Sequence, residues 1–173
     1  MIAALYVDPK GPYPRMAGVD CWGEDRNAKL YPGPGPVIAH PPCGPWGRYR
    51  TIGNCKQDPT CAPIAIGQVR KWGGVLEHPA ESSLWKTYGL PLPGRFPDEF
   101  GGWTIEFAQV RLGHRAEKRT WFYIVGCGLL DLPPAPGPAT ATTTVERLSR
   151  LSRRLTPPAM AAWLVAVAEK CRK

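Results

Sequence analysis

Two side chains able to do chemistry stand in the same local setting. Cys43 closes Val37-Ile38-Ala39-His40-Pro41-Pro42-Cys43, an apolar run stopped by two prolines. Glu77 closes Val75-Leu76-Glu77-His78-Pro79, a second apolar run stopped by proline. A thiol becomes a nucleophile once it loses its proton, and a carboxyl nearby serves as acid or base. A third, cationic group follows: Arg111, His114, Arg115, Lys118 and Arg119 crowd one short turn and the run after it. Nucleophile, acid and phosphate clamp thus occur in chain order. His40, Cys43, Cys55 and Cys61 offer a competing use as four zinc ligands, of suitable type but without paired Cys-x-x-Cys hooks. With zinc bound, Glu77 would shuttle protons, as in zinc deaminases that act on nucleobases.

These residues need strands and helices to position them. Residues 2–7 and 17–22 read as strands, with Asp20 near the end of the second, while prolines 9, 12 and 14 bar a helix between them. Residues 24–31 suit a short helix that Pro32-Gly33-Pro34-Gly35-Pro36 ends. After Cys43 comes a loop with Arg48, Arg50 and Lys56. Thr60 is then placed to cap a helix running to Trp72, with Ile64, Val69 and Trp72 on its buried side. Gly73-Gly74 ends this helix, so strand, helix and strand form a βαβ unit whose carboxyl edge carries both Cys43 and Glu77. Residues 82–88 read as a helical turn, and 103–110 and 118–125 as strands joined by a hairpin-like turn. The expected organisation is one α/β core over 1–131, a Pro-rich linker over 132–141, and a basic helical segment over 142–173 packed on the core. Within that segment 144–155 is basic, and 157–170 has an apolar face of Met160, Trp163, Leu164 and Val167.

The chain has 173 residues, 43% of them hydrophobic, enough for one core and short for two. Lys+Arg 22 against Asp+Glu 14 leaves a formal charge of +8, which favours a polyanionic partner. No apolar run is long enough to span a membrane, and the N-terminal run lacks the features of a signal peptide, so a cytoplasmic location is expected. The six cysteines are then expected as thiols.

Pro41-Pro42-Cys43, Glu77-His78-Pro79 and the basic run Gly113-His114 to Lys118-Arg119-Thr120-Trp121-Phe122-Tyr123 resemble, in order, three motifs of DNA methyltransferases acting on carbon 5 of cytosine. The likeness covers roughly residues 17 to 127. With the tail from Arg153 through Trp163 it is strongest to short phage-encoded methyltransferase-like proteins. The resemblance implies a partly parallel, Rossmann-like sheet and a pyrimidine base, in DNA or a nucleotide, as substrate. It implies Cys43 adding to ring carbon 6, Glu77 as the acid beside ring nitrogen 3, and Arg119 completing the catalytic set. His40, Pro42, Trp46, Arg48, Arg50, His78, His114 and Lys118 would contact the substrate. Taken by themselves, His78 and His114 also fit hydrogen-bonding structural roles beside strand ends.

The chain departs from that family in two places. The first strand is followed not by a Phe-x-Gly-x-Gly loop but by Asp8-Pro9-Lys10-Gly11-Pro12-Tyr13-Pro14, so a truncated fold with weak or absent S-adenosylmethionine binding is expected. Asp8 and Asp20 are the remaining cofactor candidates. Only the stretch 86–102 separates the Glu77 segment from the next strand, which leaves no room for a target-recognition domain. Two other classes stay open: a nucleobase enzyme that needs no S-adenosylmethionine (glycosylase, deaminase or hydroxymethylase), and a non-catalytic nucleic-acid-binding protein.

Overall fold

Ile2–Leu5 (β1), Val19–Trp22 (β2), Val37–Ala39 (β3), Gly74–Pro79 (β4), Trp103–Ala108 (β5) and Arg119–Val125 (β6) form one sheet in the order β2-β1-β3-β4-β6-β5. The computed structural model describes residues 1–48, 50–51, 55–134, 136–149 and 151–171. The loop 48–59, the linker, the segment 144–155 and the C-terminus each contain positions outside the described residues. β1 pairs in parallel with β2 and β3, β3 in parallel with β4, and β6 runs antiparallel to β4 and β5. The fold is therefore α/β with a mixed, mostly parallel sheet. β1 and β3 are buried on both faces, so they read as unbroken apolar runs.

Alternate side chains feed two cores. Ile2, Ala4, Ile38, Val75, Phe122 and Ile124 face one side, where the helix Pro158–Lys170 supplies Met160, Trp163, Leu164 and Val167. Ala3, Leu5, Val37, Ala39, Leu76, Trp121 and Tyr123 face the other, under the helix Cys61–Trp72. We number these helices α1 (Cys61–Trp72), α2 (Ser83–Thr87) and α3 (Pro158–Lys170). α1 crosses from β3 to β4, forming the expected βαβ unit. α3 starts at a proline in its first turn, where no amide is needed, and ends with Cys171 Sγ 3.0 Å from Cys127 Sγ.

Four local expectations need correction. Thr60 stands at the N-cap position of α1 as expected, but its side chain does not cap the helix; its hydroxyl and amide both donate to Asp58 Oδ1, at 2.7 and 2.8 Å. The helix buries Ala62, Ala65, Ile66 and Val69, whereas Ile64 and Trp72 are only half-buried. Residues 24–31 form only a 3-10 turn, Ala28–Leu30, because Asn27 is left-handed at φ 50° and Arg26 is drawn back to Asp20. The described part of 144–155 is a series of turns: Ser149 Oγ accepts the Ser152 amide at 3.0 Å, diverting the backbone from a helical ladder.

Gly74 lets β3 and β4 meet. It sits opposite Val37 at φ +120°, and a Cβ there would lie 1.9 Å from the Val37 carbonyl oxygen. Since Cys43 lies on the loop after β3 and Glu77 lies within β4, this close approach helps set how far apart the two stand. Gly74→Ala is expected to cost more than about 4 kcal/mol, read as a large fall in the urea midpoint or loss of soluble protein. A midpoint close to the native one would refute the tight approach.

Candidate active site

The carboxyl ends of β1, β3 and β4 share one edge, and the antiparallel β6 starts there, with Thr120 opposite Pro79. On the α3 side this edge holds a cleft of ≈ 260 Å³. Its lining comes from the turn after β1 (Asp8, Gly11, Pro12, Tyr13), the loop after β3 (His40, Pro42, Cys43) and Glu77 of β4. Gln109 and Lys118 enter from the β5–β6 connection, and Arg153, Arg154 and Met160 from the C-terminal segment.

Glu77 is the hub. It alternates with Val75 and so faces α3, its side chain 12% exposed. Oε1 accepts hydrogen bonds from Gln109 Nε2 at 3.1 Å and Thr120 Oγ1 at 3.0 Å, and Oε2 lies 3.2 Å from His40 Nδ1. On its other side His40 Nε2 is 2.7 Å from the Tyr13 hydroxyl. Burial keeps the Tyr13 phenol protonated, with the Glu77 charge adding to the effect. The network therefore assigns Tyr13 O–H as donor to Nε2, and Nδ1–H as donor to Glu77. Burial alone would push the Glu77 carboxyl up, but the His40 hydrogen bond and the Lys118 charge outweigh it and bring it down to about 2. Glu77 is thus held ionised at neutral pH.

The Cys43 loop is fixed by its own backbone. The Cys43 carbonyl accepts the amides of Trp46 at 3.1 Å and Gly47 at 2.8 Å, and the Gly44 amide donates to Gln57 Oε1 at 2.9 Å. Ser83 ties the loop to α2 through its amide and hydroxyl, both donating to the Trp46 carbonyl. Burial pushes the Cys43 thiol above its ordinary value; Lys118 and Arg154 pull it back, while Glu77 raises it further.

Of the residues singled out in the sequence, His40, Pro42, Cys43, Glu77, Lys118 and Asp8 line this cleft. Arg119 does not. It alternates with Trp121 onto the opposite face, where its guanidinium pairs with Glu106 and Glu81 at 2.8 Å each. His78 also points away from Glu77; it is fully buried, bonded through Nδ1 to Ser82 at 2.7 Å, and pushed by burial down to about 4. His114 holds its own turn, accepting the Ala116 amide at 3.1 Å. Trp46 packs edge-on against Tyr88, Arg48 and Arg50 are exposed, and Arg115 is exposed beyond the cleft. Arg111 donates to the carbonyls of Pro136 and Gly137, clasping the linker. Asp20 is held by Arg26 and by Trp22 Nε1 at 2.8 Å, on the edge strand β2.

The zinc set is not assembled. Both His40 nitrogens are engaged by Tyr13 and Glu77, and among the described residues no three His, Cys, Asp or Glu side chains are grouped to hold a metal. Nor does the turn after β1 fit S-adenosylmethionine. The Lys10 and Gly11 amides donate to Asp8, those of Arg15 and Met16 donate within the turn, and prolines 9, 12 and 14 have none. Tyr13, Gln109, Thr120, Arg153 and Arg154 are site residues that sequence reasoning missed. Thr120 left a signal in its alternation with Phe122 and Ile124, and Arg153 in opening the tail that runs to Trp163.

No protein-family model matches the chain, no curated protein matches it, and no solved structure matches it. Among the described residues no helix is long and apolar enough to cross a membrane.

The ionised Glu77 has a pH signature. Its folded value lies near 2 against an ordinary 4.5, so its stabilisation is complete above pH 4.5 and fades as pH falls toward 2. The difference corresponds to about 3 kcal/mol. Urea midpoints of native protein and Glu77→Gln are expected to differ most above pH 4.5 and to converge below it. A gap independent of pH would show that the carboxylate is not held ionised.

Proposed function

We propose that the cleft binds a pyrimidine base of DNA or of a nucleotide, and that Cys43 forms a covalent adduct at ring carbon 6. The observation that carries this reading is that Cys43 and Glu77, from the ends of two parallel strands, line one cleft within the field of Lys118. The order Pro-Pro-Cys, Glu, basic strand supports it from the sequence side, through the resemblance to cytosine methyltransferases on a Rossmann-like sheet.

The chemistry starts from a neutral thiol. On attack the S–H proton leaves to solvent, the sulfur–carbon 6 bond forms, and the carbon 5–carbon 6 π pair moves to carbon 5. Carbon 5 then takes a proton or another electrophile; loss of the original carbon 5 proton to solvent returns its electron pair to the carbon 5–carbon 6 bond, and sulfur leaves carbon 6 as the thiolate, which takes its proton back from solvent. Glu77 acts as acceptor: its carboxylate receives the N–H edge of the pyrimidine, the exocyclic amine of cytosine or the N3–H of uracil. The closed Pro-rich turn after β1 favours the branch that needs no S-adenosylmethionine, with water or another one-carbon donor as second reactant.

A 5-fluoropyrimidine, in DNA or as a nucleotide, is expected to become covalently attached to Cys43, read by mass spectrometry, and Cys43→Ala is expected to abolish it. Exchange of the carbon 5 hydrogen in deuterated water gives the same readout without a methyl donor. Attachment or exchange that persists in Cys43→Ala removes the cysteine from the mechanism and leaves a binding protein or a different nucleobase chemistry. Calorimetric titration with S-adenosylmethionine is expected to show no micromolar binding; heat of that size, lost on Asp8→Ala, would restore a methyl transferase.

A further inference from the structure

We propose that Lys118, Arg153 and Arg154 form a phosphate site at the mouth of the cleft, so that its ligand is a phosphorylated pyrimidine nucleoside rather than a free base or nucleoside. The pyrimidine part rests on the function proposed above; the phosphate part rests on the cations themselves. The segment 151–156 crosses the cleft as a strap, its turns closed by the Arg153 amide to Ser149 O at 3.0 Å and the Arg154 amide to Leu151 O at 2.9 Å. Lys118 Nζ, from the start of the β6 run, donates to the Arg153 carbonyl at 3.3 Å and so fixes the strap over the site.

The charges around this strap are unbalanced. Arg153 Nε is shut off from solvent and has no hydrogen-bond acceptor, although a buried donor without a partner costs roughly 1–3 kcal/mol. The carboxylates of the lining are Glu77 and Asp8. Glu77 is taken up by His40, Gln109 and Thr120, and Asp8 Oδ1 accepts the Lys10 amide. Glu146 lies in the field of Arg153 and Arg48, yet among the described residues none of Lys118, Arg153 or Arg154 makes an ion pair with a carboxylate. Two guanidinium groups and an ammonium lining one cavity, none of them ion-paired to a carboxylate among the described residues, match the oxygens of a phosphate, to which arginine donates in a fork. The same Lys118 and Arg154 act on the Cys43 thiol, which places the anion site and the nucleophile in one ligand's reach.

Calorimetric titration of the full chain with deoxycytidine 5′-monophosphate, deoxycytidine, inorganic phosphate and a short cytosine-containing single strand tests this. The monophosphate is expected to bind more than roughly tenfold tighter than the nucleoside, and Arg153→Gln/Arg154→Gln to remove that advantage. Lys118→Gln serves as a second variant should the strap substitutions unfold the chain. Binding of the single strand that is lost in Arg153→Gln/Arg154→Gln supports the site with a backbone phosphate as its source. Equal affinity for nucleotide and nucleoside, binding unchanged by the substitutions, or no binding of any probe overturns it. Binding and adduct formation, measured separately on the native chain and the arginine variant, separate the two proposals. Arginine-dependent binding without any Cys43 adduct keeps the phosphate site and discards the covalent reading. An adduct with binding indifferent to Arg153 and Arg154 does the reverse.

Discussion

A buried carboxylate keeps its charge only when donors surround it, and the architecture of the cleft follows from that requirement at Glu77. His40 comes from the end of β3, Gln109 from the turn after β5 and Thr120 from β6, so three separate segments are tied to one residue of β4. Tyr13 adds a fourth from the turn after β1 by fixing His40. Removing one neutral donor from such a centre typically costs about 1.5–3 kcal/mol, because the charge it leaves behind stays buried. The walls of the cleft are therefore set by polar compensation, while the apolar layers beneath fix only where the strands run.

Strand ends and strand faces were not equally legible in the sequence. Apolar runs cut off by proline identified β3 and β4 and hence Cys43 and Glu77, because parallel strands buried on both faces need continuous hydrophobicity. Which side a residue takes depends on a period of two, and a single residue decides it. Counting cations pointed to Arg119, but β6 sends Thr120 toward Glu77 and turns Arg119 to Glu106. His78 follows the same alternation away from Glu77 and bonds Ser82 through Nδ1 alone. Tyr13 and Gln109 could not be found by local reasoning, since they reach the site across 27 and 32 residues and carry no motif.

The helices show the same division between periodic and local signals. α3 was legible because Met160, Trp163, Leu164 and Val167 repeat at helical spacing and bury together. Residues 24–31 and 144–155 had helix-forming composition but no such stripe, and side chains that bond their own backbone or a neighbour prevailed: Arg26 with Asp20, Ser149 with Ser152. The second of these losses matters to the site, since a helix over 144–155 would not have laid Arg153 and Arg154 along the cleft as the turns do.

The turn after β1 connects what the chain lacks with what it has. A glycine-rich loop there would present free amides to a cofactor; this turn folds its amides onto Asp8 and buries Tyr13 instead. Tyr13 sets the tautomer of His40, which in turn presents a proton to Glu77. The departure from a cofactor cradle and the ionised state of Glu77 are then two ends of one hydrogen-bonded chain. An ionised acceptor at the floor and, at the strap, cations without ion pairs among the described residues give the cleft a polarity. That polarity suits a ligand with N–H groups at one end and negative charge at the other.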